Sequence, residues 1–80
     1  MESKRIYQIN KRRFITTIML HFETVSNFCT LAEISRSRFY RVLNLKYATK
    51  QPKSFMRLFN LLNDNLEDGK YDIELFWRKA

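Results

Sequence analysis

A single glycine and a single proline in 80 residues restrict this chain more than any other feature. An all-β fold needs turn residues at many places, and this chain has almost none. Helix formers run nearly end to end, so the expected class is all-α. The expected architecture is a compact bundle of four to five short helices, with a C-terminal segment that is either helix or short strand. Eighty residues correspond to one domain, residues 1–80. Such a chain buries somewhat over half of its unfolded surface, and a hydrophobic fraction of 45 % is enough for a core.

Along the chain, residues 1 to 9 lack a helical period; Ile6, Tyr7 and Ile9 suit a short strand or a flexible arm. Asn10 is a candidate N-cap, with Ile9 and Phe14 at the spacing of a hydrophobic staple. A helix is expected over residues 11 to 22, with Phe14, Ile15, Ile18, Met19 and Phe22 as its apolar stripe. Lys11, Arg12 and Arg13 oppose the dipole at its start, which points either to phosphate contact or to an earlier helix start. Residues 45 to 51 are expected as a loop. A further helix follows over 52 to 63, with Phe55, Leu58, Phe59 and Leu62 inward. Asp68-Gly69 is the clearest turn signal.

Between these lies the stretch Thr24 to Asn44, TVSNFCTLAEISRSRFYRVLN. It predicts two short helices, over 25 to 32 and 36 to 44, joined by a tight turn. Thr24 and Ser35 are the expected N-caps. Phe28, Cys29, Leu31 and Ala32 supply apolar and small positions at helical spacing, and Ile34 points back to the core. Phe39 and Val42 fall on the inner face of the second helix. Arg36, Ser37, Tyr40, Arg41 and Asn44 fall on its outer face, which is polar, basic and rich in groups that bond to base edges and phosphates.

The frame of this stretch resembles the helix-turn-helix of the phage Cro and repressor family of DNA-binding proteins. The family pattern runs Thr, three variable residues, Leu-Ala, three variable residues, Gly-Val-Ser, then three more and Ile. Here the same frame gives Thr24, Phe28-Cys29, Glu33-Ile34-Ser35 and Phe39. Glu33 stands where the family has a glycine in a left-handed conformation, at a cost of about 1 kcal/mol. Pro52, Phe55, Leu58, Leu61 and Leu62 resemble the family's next helix, after a connection a few residues longer than usual. The resemblance covers roughly residues 14 to 62. It implies a Cro-like transcriptional repressor of a phage or another mobile element. Arg36, Ser37 and Arg41 match the family's base-reading positions, flanked by Tyr40 and Asn44. Thr24, Arg38, Lys46, Tyr47, Lys50 and Lys53 are the candidates for the DNA backbone. One such reader covers few base pairs, so a homodimer on a palindromic operator is expected, with half-sites about one helical turn apart.

Charge agrees with a polyanionic partner. The formal net charge is +7. Residues 34 to 63 carry Arg36, Arg38, Arg41, Lys46, Lys50, Lys53 and Arg57 and no acid, while residues 64 to 80 are acidic on balance. That tail is therefore expected to avoid DNA. Its Ile73, Leu75, Phe76 and Trp77 are too apolar for a free end, so they pack on the core or form the dimer contact. Two other readings use the same residues: a small antirepressor-like modulator that binds another regulator, and a nonspecific basic nucleic-acid binder.

No enzyme is expected. His21 and Cys29 are the only histidine and cysteine, and the carboxylates have no basic or metal partner pattern. No glycine-rich phosphate loop, metal-ligand spacing or dinucleotide fingerprint occurs, so no cofactor, metal or small-molecule substrate is expected. One cysteine forms no disulfide within the chain. No signal peptide or membrane span is expected either, which makes the chain cytoplasmic by default.

Overall fold

The computed structural model describes residues 6–66 and 70–79. Four α-helices, α1 (Lys11–Phe22), α2 (Val25–Ala32), α3 (Arg36–Asn44) and α4 (Lys53–Asp64), are joined by three short strands, β1 (Tyr7–Ile9), β2 (Lys46–Tyr47) and β3 (Trp77–Lys79). A 3-10 turn, Ile73–Phe76, leads into β3. The strands form one antiparallel sheet in the order β2-β1-β3. The fold is therefore α+β, and the all-α expectation is corrected. The reason lies in the connections. Neither strand pair is a hairpin: β1 and β2 are separated by three helices, and β3 follows α4. No two-residue glycine turn is needed, and strands of two or three residues are too short for a period-two pattern.

The helices begin where polar side chains can satisfy free N–H groups. Asn10 accepts from the N–H of Arg13, Thr24 from Asn27 and Ser35 from Arg38, at 3.2, 3.0 and 3.1 Å. Pro52 precedes α4 without a side-chain cap, so that helix starts one residue later than the sequence suggests. α2 ends in a Schellman arrangement. Glu33 is left-handed at φ 58°, ψ 43°. The N–H of Ile34 reaches Cys29 O at 3.0 Å, and that of Glu33 reaches Thr30 O at 3.2 Å. α1 ends differently. Glu23, at φ 70° and ψ −48°, is the centre of a three-residue turn that the Thr24 N–H closes onto Phe22 O at 2.8 Å. That is a γ-turn of the strained, positive-φ kind.

One apolar cluster runs through every helix and through both ends of the described chain. Phe14 is its meeting point: its ring packs on Phe39 of α3, Phe55 of α4 and Phe76 of the 3-10 turn. Residues 7–9, expected as an arm or short strand, form the middle of the sheet. Ile9 is buried, and the Asn10 N–H donates to Phe76 O. Residues 45 to 51, expected as a loop, contain β2. Asn63 is the buried polar side chain of α4. It accepts the N–H of Tyr71 at 3.0 Å and donates to its carbonyl at 3.2 Å, pinning the approach to the tail. Asp68-Gly69 lies outside the described residues.

Candidate functional site

α3 is held by Phe39, Val42 and Leu43, all buried, so its roll about its own axis is set by the core. Arg36, Ser37, Arg38, Arg41 and Asn44 are then exposed, and Tyr40 is half-buried. No acidic residue lies in α3. Four of the five candidate base-reading residues, Arg36, Ser37, Arg41 and Asn44, thus share the outward side of one helix, with hydroxyl, amide and guanidinium groups available, while Tyr40 packs partly on the core at its edge. Leu43 is a core residue that the sequence reading did not place.

The front of α3 borders a cleft of about 690 Å³. Its walls are Ile15 and Met19 of α1, Thr24, Val25 and Ser26 at the start of α2, and Arg36, Ser37 and Tyr40 of α3. Met19, expected inside the α1 stripe, is 51 % exposed and lines this cleft instead. Lys11 lies one turn before Ile15 on α1, and its ammonium stands 5.5 Å from the Tyr40 ring centroid. The basic start of α1 is therefore beside the front of α3. One signal of this is legible along the chain: three cations stand at a helix start that disfavours them. Two helix N-termini, hydroxyls and a guanidinium border this open cleft beside the apolar Ile15, Met19 and Val25.

The candidate backbone residues divide. Thr24, Lys46 and Lys53 are exposed. Tyr47 and Lys50 are engaged within the chain. The Tyr47 hydroxyl donates to Val42 O at 2.8 Å and bonds to the Ser54 hydroxyl at 3.2 Å, while its ring meets Trp77 edge-on. Tyr47 thus braces β2 on α3 and α4. Lys50 reaches Glu74 at 2.8 Å and lies over the Tyr7 ring. Its partner came from the acidic tail, far away in sequence, which is why the sequence showed it as free.

The four tail residues also divide. Phe76 is fully buried against Phe14, Phe59 and Tyr71, so it has no surface to offer a second copy. Trp77 packs on Tyr7, Tyr47 and Phe55 of its own chain. Ile73 is half-buried on the core, and Leu75 is 42 % exposed. Of the four, Phe76 belongs to the core and Leu75 is the one that faces out.

His21 and Cys29 are not brought together as a reactive pair. His21 Nε2 shares a hydrogen bond with the Tyr71 hydroxyl at 2.8 Å. Cys29 is buried; burial pushes its thiol above the ordinary value of 9.0, and the Arg36 guanidinium pulls it partway back. A thiol so placed is a small core residue rather than a nucleophile. Among the described residues, no group of three or more His, Cys, Asp or Glu is placed to hold a metal ion. No described helix is long and apolar enough to cross a membrane. Comparison with protein-family models, with curated proteins and with solved structures found no match to this chain.

Proposed function

We propose that this chain is a sequence-specific, double-stranded-DNA-binding transcriptional regulator that places α3 in the major groove. The observation that carries this reading is the division of α3. Phe39, Val42 and Leu43 lock one side into the core, and Arg36, Ser37, Arg41 and Asn44 face solvent on the other with no acid among them. Arg36 or Arg41 would bond in two-pronged fashion to O6 and N7 of guanine, and Asn44 to adenine. Thr24, Arg38, Lys46 and Lys53, being exposed, would meet phosphates and set register without carrying sequence information.

The resemblance to the Cro and repressor family extends the reading to a repressor of a phage or mobile element. It acts in the cytoplasm as a homodimer on a palindromic operator. The left-handed residue at Glu33, in the position of that family's glycine, supports this frame. Selection of bound sequences from a random DNA pool is the test. An enriched palindrome with half-sites about one turn apart is the expected result. Salt-sensitive binding without enrichment would point to a nonspecific binder. No retention of DNA at all would leave a protein-binding modulator as the better reading.

A further inference from the structure

The sheet has a solvent side that the α3 reading does not use. β1 pairs Gln8 with Lys46 of β2 on one side and with Arg78 of β3 on the other. Side chains of one such row point to one face of the sheet. The opposite face is the inner one: Ile9 is buried, and Tyr7, Tyr47 and Trp77 pack together over Phe55. The outer row therefore reads Lys46, Gln8, Arg78, with both cations exposed. No acid belongs to that row. Two strand spacings put the two cations' backbones about 10 Å apart.

We propose that this outer row is a second DNA contact, in which Lys46 and Arg78 grip phosphates beside the groove that α3 enters. The proposal rests on the DNA-binding reading of α3. Two observations support it. The row is continuous with that helix, since Lys46 comes two residues after Asn44. Its charge also complements a duplex, which presents a negative charge about every 1.7 Å along its axis. The tail's acidic balance concealed it. Among the described residues Asp64, Asp72 and Glu74 precede the sheet, and Arg78 alone is carried into the row. Arg78 is thereby assigned a role opposite to the expectation that the tail avoids DNA.

The test is the slope of log affinity against log salt on a short DNA duplex, for the wild type, Lys46→Gln, Arg78→Gln, the double variant and Arg78→Lys. Melting curves restrict the comparison to folded variants. Each Gln variant should lower the slope by about one unit, and the double variant by about two, equally on selected and scrambled duplexes. Arg78→Lys keeps the charge and should keep the slope. A wild-type slope in the folded double variant overturns the proposal. If Arg36→Ala then still relaxes sequence preference, the α3 reading survives that result. If instead Arg36→Ala and Arg41→Ala change nothing while the Gln variants lower the slope, the sheet contact stands and the α3 reading falls.

Discussion

Glu33 and Glu23 show what a chain with one glycine does at its bends. Both have positive φ: Glu23 ends α1, and Glu33 ends α2, the helix that leads into α3. A left-handed backbone costs a residue with a Cβ roughly 1–2 kcal/mol, part of which glycine recovers and part of which it loses again to unfolded-state entropy. Glu33→Gly should therefore raise stability by up to about 1 kcal/mol. It also removes a carboxylate from the unfavourable C-terminal end of α2. Urea unfolding measures this, and a loss of stability would mean that the Glu33 side chain makes a contact worth more than the strain. Cys29 supplies a pH test. Its folded-state thiol is raised, so above its ordinary value of 9.0 the unfolded chain releases the proton first. The stabilisation is complete below that pH and is lost above it, as pH rises through the raised folded-state value. Cys29→Ala should cost on the order of 1 kcal/mol near neutrality. The gap between variant and wild type should shrink in alkali; a constant gap would show that the thiol does not titrate differently in the two states.

At the scale of elements, α3 and β2 carry different work although they adjoin. Arg36→Ala and Arg41→Ala should each cost about 1–3 kcal/mol on the preferred site and relax its specificity. Affinities on matched and scrambled duplexes decide this, because equal losses on both would reduce these arginines to phosphate contacts. Tyr47→Phe should behave in the opposite way. It removes the hydroxyl that bonds to Val42 O and Ser54, at about 0.5–1.5 kcal/mol of stability. The salt slope of DNA binding should stay unchanged, and a lower slope would return Tyr47 to the phosphate contacts. The Lys50–Glu74 pair is largely exposed and adds little stability. Its consequence is that Lys50 is less available to an outside anion than Lys46 or Lys53.

For the whole molecule, the tail decides how much of the core one chain closes by itself. Phe76 and Trp77 complete the cluster around Phe14 and Phe55. Trp77→Ala should thus cost about 3–5 kcal/mol as a core truncation, read from thermal or urea unfolding. The proposed homodimer must use surface that remains, and Leu75 is the exposed tail candidate. Leu75→Glu should shift the protein toward monomer with little change in helicity. Sedimentation of both forms checks it. A wild-type monomer far above the concentration at which DNA binds would end the dimer reading.

The sequence by itself determined the local events: the caps at Asn10, Thr24 and Ser35, the four helices, and the inward set Phe14, Phe28, Phe39 and Phe55. These depend on neighbours within one or two turns, where side-chain spacing and capping chemistry act directly. It also determined the side of α3 that faces out, because a 3.6-residue period and a buried Phe39 leave no other roll. Tertiary structure decided the rest. The sheet joins Tyr7–Ile9 to Lys46–Tyr47 and Trp77–Lys79, segments too short to show a period and too far apart to show a turn. Only that pairing turns Tyr47 into a brace, ties Lys50 to Glu74, buries Phe76 and lines up Lys46 with Arg78 across Gln8. Each of these depends on which distant residues meet, and strand pairing and burial across the core set those partners.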